Sequence, residues 1–406
     1  MRPVPRGGSC PPFQAGIPVS AAQGEEWKCC AATDTGHGSQ EPRMQLPKER
    51  FLTALSRQKP DRVPLVAGWG VVEARLLGLS LEEMVERCGI DAVISWWPDC
   101  PDFGEVDRYL ERVATDARLG EIQSVGSYAR WGYIPPGLSG SSSPELNPLA
   151  GAAVRSDIAD CIPTVDWQKA GSELSEEVAR WQERDVAVAV PLPKLGGLWF
   201  EEMQRLRGYE QSVLDLVLNP DLAAFLVERI TAVHAEGAAA AARSGADVLW
   251  LDDDIGMPGH MIISPETWRR FFKPAIAAVI HAARSVRSDI AVCYHSDGYF
   301  EPVVGDLIET GVNALHPVQP DVFDQARLKR RFGSAVAFWG GVGTPTLWAW
   351  GSPEDIRAET RRAIADLGPA GFIAAPAYDI EPDVPADNLR AFFQHVADSG
   401  PLLTHG

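Results

Sequence analysis

Eight short apolar runs, most of them separated by helical stretches, constrain this chain more than any other feature. They fall at 63–69, 91–97, 186–192, 247–253, 290–295, 313–317, 336–341 and 371–377. Runs of this length, rich in Val, Ile, Ala and aromatics, read as strands buried on both faces. The intervening segments carry helix punctuation. Ser80 stands as an N-cap with Glu83 in the capping-box position, and Ser264-Pro265-Glu266 and Ser352-Pro353-Glu354 open two further helices. Pro220 sits in the first turn of a long helix that Gly245 ends. Repeated strand–helix units of this kind predict an α/β fold, a (β/α)8 TIM barrel. A doubly wound open sheet is the alternative, but no Gly-rich phosphate loop follows the first strand.

Residues 1–43 lack periodicity and are rich in Pro, Gly and small residues, so they read as a disordered extension. Met44 opens the regular part, and the barrel is expected over 44–406. A weakly patterned excursion after the second strand, between 120 and 170, is expected to cover one end of it. The chain has 45% apolar and 23% charged residues, ordinary for a globular protein with a large core. A net charge of -18 argues against nucleic acid or an anionic membrane surface as partner. No apolar run approaches the roughly 20 residues of a membrane span. Seven cysteines, an odd number without zinc-knuckle spacing, fit a reducing cytoplasm.

In such a barrel the strands stay apolar through the core and turn polar at their carboxyl ends, where catalytic residues collect. The fourth run ends in Asp252-Asp253-Asp254, the fifth leads into His295-Ser296-Asp297, and the sixth reaches His316. His295 and Asp297 point the same way on an extended backbone, so they can share a metal ion or a substrate proton. The alternative is a strand-end histidine bonded to its neighbouring carboxylate. The three aspartates cannot all face one site, since Asp253 points opposite to its neighbours. Asp253 and Asp254 are candidate site carboxylates, one to orient a ligand and another to cap the helix that follows, with capping and solvation alone as the alternative. His260, in a Gly/Pro loop by the same mouth, and His316 are pocket candidates. Thirteen tryptophans is a high number, and Trp69, Trp97 and Trp339 fall near strand ends. They suit the walls of a pocket for a planar substrate, or else ordinary core.

Six blocks extend this pattern: "ERFLTALSRQKPDRVPL", "LRGYEQSVLDLVLNPDLAAFLVERIT", "GADVLWLDDDIGMPGHMIISPETWRRFFKP", "HSDGYFEPVVGDLIETGVNALHPVQP", "FWGGVGTPTLWAWGSPEDIRAE" and "GFIAAPAYDIEPDVPADNL". In this order they resemble the uroporphyrinogen decarboxylase superfamily, which holds the haem-pathway decarboxylase and a group of cobalamin-linked methyltransferases. The resemblance runs over roughly residues 48–397 and implies a TIM barrel. The decarboxylase's arginine-rich motif is absent, with Arg75 alone in that region, and Asp99 is offset by one position from its catalytic aspartate. The methyltransferase branch is therefore the nearer likeness. That branch binds Zn2+ through a His-x-Cys and a later Cys, and the matching positions here are His295, Asp297 and Tyr378. Cys293, two residues before His295, would lie one layer deeper in the barrel. The resemblance implies an enzyme that demethylates a small methylated substrate, for example an aryl methyl ether, with a corrinoid carried by a partner protein as acceptor. His295 and Asp297 are the implied metal ligands, and a homodimer is compatible with this reading. A decarboxylase, or a ligand-binding barrel with altered chemistry, are the alternatives.

Overall fold

The computed structural model describes residues 44–68, 70–97, 147, 149–159, 166–192, 197–381 and 383–400. The expected extension at 1–43, Trp69, Asp99 and most of the excursion between 120 and 170 lie outside them. Seven strands are present among the described residues: β1 (Ala92–Ile94), β2 (Ala187–Pro191), β3 (Val248–Asp252), β4 (Ala291–His295), β5 (Ala314–His316), β6 (Ala337–Val342) and β7 (Phe372–Pro376). Each pairs in parallel with the next, giving one curled sheet in chain order. Parallel neighbours need a crossover of a dozen or more residues. Helices such as Pro220–Arg243 and Pro265–Val286 supply it.

The first expected strand, 63–69, is reduced to a single bridge from Leu65 to Ala374 of β7. Pro64 has no N–H to donate, and Gly68 already turns to a φ of 54°, so the extended stretch is confined to its middle. That middle is nonetheless bonded on both sides. The Val66 amide donates to the Ala374 carbonyl at 2.9 Å, and the Asp91 amide donates to the Leu65 carbonyl at 2.9 Å. A buried ion network backs the same seam. Asp91 accepts from Arg50 Nη1 at 2.6 Å, from Arg62 Nη1 at 2.8 Å and from the Leu65 amide at 2.8 Å.

Alternation along the strands separates two cores. Outward residues pack against the helices, and inward ones fill the space the sheet curls around. Six inward strand positions are alanine, at 92, 187, 189, 314, 337 and 375, which leaves volume for Trp250 and Trp339. These two rings meet edge to face at 5.0 Å. The helix α1 (Pro47–Leu55) closes the amino-terminal end, where Phe51 meets Trp339 at 5.1 Å. The helix starts read from sequence are found: Ser80 closes a capping box with Glu83, and Ser264 and Ser352 accept from backbone amides three residues on. No helix among the described residues is long and apolar enough to cross a membrane.

Candidate functional site at the carboxyl ends of the strands

Strand register sets three polar side chains side by side. Asp252 of β3 pairs with His295 of β4, and His295 with His316 of β5. All three occupy inward positions, one layer above Trp250 and Cys293. Asp254 continues the same alternation beyond β3 and returns to the group. His295 Nε2 lies 3.8 Å from Asp252 Oδ1, 3.7 Å from Asp254 Oδ1 and 4.0 Å from Asp297 Oδ1. On its other edge, His295 Nδ1 sits 2.7 Å from His316 Nδ1. Only one proton fits between two such nitrogens, so one ring donates and the other accepts. The floor is aromatic: Trp250 stacks beneath His295 at 5.9 Å and tilts against His316 at 4.6 Å, while Trp339 meets His316 edge-on at 6.1 Å.

The loops carrying these groups are locked together by two glycines. A Cβ on Gly256 would lie 2.5 Å from the Asp297 carbonyl oxygen, and one on Gly298 would lie 2.4 Å from the Gly256 carbonyl carbon. Gly298 also adopts a φ of 73°, which other residues rarely take. Backbone-to-backbone approach at this point lets the Tyr299 amide donate to the Met257 carbonyl at 2.9 Å. It also brings the Asp297 amide 2.6 Å from Asp254 Oδ1. The loop after β5 adds Gln319, which sequence reasoning did not single out. Its Nε2 donates to Asp297 Oδ1 at 2.9 Å, and its Oε1 accepts from the Gly298 amide at 2.8 Å. Val318 before it holds a φ of 53°, a strained conformation for a β-branched residue. Gln325 stabilises it by donating to the Val318 and Gly341 carbonyls at 2.8 and 2.9 Å.

Several expected site residues stand elsewhere. Asp253 is a correction, because alternation turns it outward. Its Oδ1 accepts from the amides of Trp199, Phe200 and Glu201 at 3.2, 2.9 and 3.2 Å, capping the helix Phe200–Arg207. That helix precedes β3 in the chain rather than following it. Burial pushes the Asp253 carboxyl up to about 7, against the pull of those amides. Asp252, not Asp253, faces His295. Trp97 is buried in the outer core, where its indole donates to the Pro191 carbonyl at 2.7 Å and its ring meets Trp167. It lines no part of the cluster. His260 is exposed on the loop after β3 and is not in the group. Tyr378 donates its hydroxyl to Asp321 at 2.7 Å, and burial together with that carboxylate pushes the phenol well up. Cys293 is fully buried in the interior layer beside Trp250, and burial pushes its thiol up. Trp339 is interior, one of the two rings that fill the space below the cluster.

Residues 202–399, which include every member of the cluster, match the uroporphyrinogen decarboxylase (URO-D) family. Over this stretch the chain is similar to the uroporphyrinogen decarboxylase superfamily. Curated superfamily relatives are distant. A uroporphyrinogen decarboxylase of Chlorobium luteolum is 24% identical over 184 residues, 44% of this chain and 50% of that protein. Another, of Pelobacter propionicus, is 25% identical over 234 residues, 54% of this chain and 64% of that protein. The chain thus matches between about half and two thirds of the length of these relatives. Among solved structures, a methyltransferase from Methanosarcina mazei superposes with a TM-score of 0.59 at 19% identity, over 87% of this chain and 98% of that one. At that identity the likeness shows the fold.

Proposed function

We propose that this chain is a methyltransferase-type enzyme that removes a methyl group from the heteroatom of a small methylated substrate, such as an aryl methyl ether. The acceptor in this reading is a corrinoid carried by a partner protein, and segment 64–66 serves as the eighth stave of the barrel. The observation that supports the reading is the cluster of Asp252, Asp254 and His295 over the Trp250 floor. Transfer breaks a carbon–oxygen bond and leaves the electron pair on oxygen, while the methyl carbon takes its new pair from the acceptor. An alkoxide or phenoxide leaves poorly unless a proton or a positive centre meets it. His295 Nε2, flanked by carboxylates and backed by His316, is the described group placed to provide one. The aromatic floor suits a planar leaving group.

Zinc on one imidazole and two thiolates, which the superfamily's methyltransferase branch implies, does not fit these residues. The positions read as thiolates are Asp297, bonded to Gln319, and Tyr378, bonded to Asp321. No step here runs through such a centre. Decarboxylation is the second reading, favoured by the name of the curated relatives. The lone Arg75 is exposed on the helix Val71–Leu77, which offers little to a polycarboxylate.

The test incubates the purified chain with methyl ethers, methylamines and methyl thioethers and a reduced corrinoid, following the methylated corrinoid by absorbance. Transfer is expected, with His295→Ala slowing it by roughly 10²–10⁴-fold. Carbon dioxide release from a carboxylated substrate, with no methylated corrinoid from any donor, would replace this reading with decarboxylation.

A further inference from the structure

We propose that Asp252, Asp254 and His295 bind a divalent transition-metal cation, a site built on oxygen and imidazole donors rather than on thiolates. One donor atom from each residue lies within 4.8 Å of the others. The His295 Nε2 separations of 3.8 and 3.7 Å from the two carboxylate oxygens suit a common centre. Ligands about 2.0–2.2 Å from a cation stand roughly 3–4 Å apart around it.

Three features of the fold prepare these atoms. The β3–β4 register fixes Asp252 beside His295 on neighbouring inward positions. The Gly256–Gly298 contact and the bond from the Asp297 amide fix Asp254. His316 holds the far nitrogen of His295, so when His316 accepts, His295 carries its proton on Nδ1 and turns the Nε2 lone pair to the carboxylates. A second residue that sets ring orientation and tautomer in this way is the usual companion of a metal-binding histidine. Two carboxylates and a neutral imidazole balance a divalent ion in charge. Their hardness suits Zn2+, Mn2+, Fe2+ or Co2+ and disfavours Cu+.

The site deepens the proposed methyl transfer, since a cation here would meet the departing heteroatom in place of a proton. It rests on that reading only for its use in turnover. Its test is therefore read by metal content. The full chain, stripped with a chelator, is dialysed against Zn2+, Mn2+ or Co2+ in turn. Bound metal is measured by elemental analysis, and Co2+ also by its visible absorption. One ion per chain is expected with at least one of the three. His295→Ala should abolish it, Asp252→Asn and Asp254→Asn should each weaken it by tenfold or more, and His316→Asn should weaken it by roughly 10–100-fold. Tyr378→Phe should leave it unchanged. Thermal melts of each variant establish that it folds, and Asp254, on a loop, is the variant least able to disturb the sheet. Substoichiometric metal with all three ions, or stoichiometric metal retained in folded Asp254→Asn and His295→Ala, would overturn the proposal. Methyl transfer together with substoichiometric metal for all three ions would sink this site while leaving the proposed reaction in place. Stoichiometric metal without methyl transfer would do the reverse.

Discussion

At the scale of single residues, alternation along β3 turns Asp252 and Asp254 toward His295 and sends Asp253 to the helix Phe200–Arg207. His295 and Asp297 stand out in sequence because an apolar run turns polar at a strand end. Asp252 was hidden by a one-position ambiguity, since three consecutive aspartates do not reveal where the strand's alternation stops. The contact between His295 and His316 depends on β4–β5 register, which no local pattern encodes. His234, on the helix Pro220–Arg243, is buried, with Nε2 2.9 Å from the Leu198 carbonyl and its ring against Trp199. Burial pulls its imidazole down to about 4. Because the folded value is below the unfolded one, the associated stability is complete above about pH 6.5 and is lost as pH falls toward 4. The loss amounts to roughly 3 kcal/mol at most. Urea titrations across that window should show a flatter profile for His234→Gln, which keeps a donor for Leu198. A glycine pair gives a second test. Gly298→Ala meets both a φ of 73° and the Gly256 backbone, and should cost roughly 2 kcal/mol or more. Gly259→Ala, where a Cβ meets nothing within 4 Å, should stay within about 0.5 kcal/mol of the parent in the same denaturation experiment.

At the level of elements, most helix starts were readable because caps are local chemistry, as Ser80, Ser264 and Ser352 show. The cap on Phe200–Arg207 was not, because its acceptor comes from Asp253, more than fifty residues downstream. A carboxylate on three amides at a helix start is a cap supplied by tertiary contact. Asp253→Ala should lower stability by about 1–2 kcal/mol in chemical denaturation, whereas Asp253→Asn, which keeps an oxygen acceptor, should lose much less. The first strand is shorter than its composition suggests for a related reason. Its composition is strand-like, but Pro64 and Gly68 limit the pairing that composition suggests. Pairing there is decided by β7 and the start of β1, both remote in sequence.

Across the whole molecule, repeated strand–helix units foretold a parallel α/β architecture, while the way segment 64–66 bonds to β7 and to the residue before β1 was not visible. That seam depends on Asp91, held by Arg50 of α1, Arg62 and the Leu65 amide. Asp91→Ala would leave Arg50 and Arg62 facing a buried gap, and should destabilise the fold by about 3–5 kcal/mol in denaturant titration. The same architecture places Trp250 and Trp339 inside the sheet's curl, where Trp339 meets both Trp250 and Phe51 edge to face. Trp250 lies directly under His295. An ion or ring that settles at the mouth would sit one layer above this solvent-excluded indole, so titration of such a ligand is expected to shift tryptophan emission in the parent chain and not in Trp250→Phe.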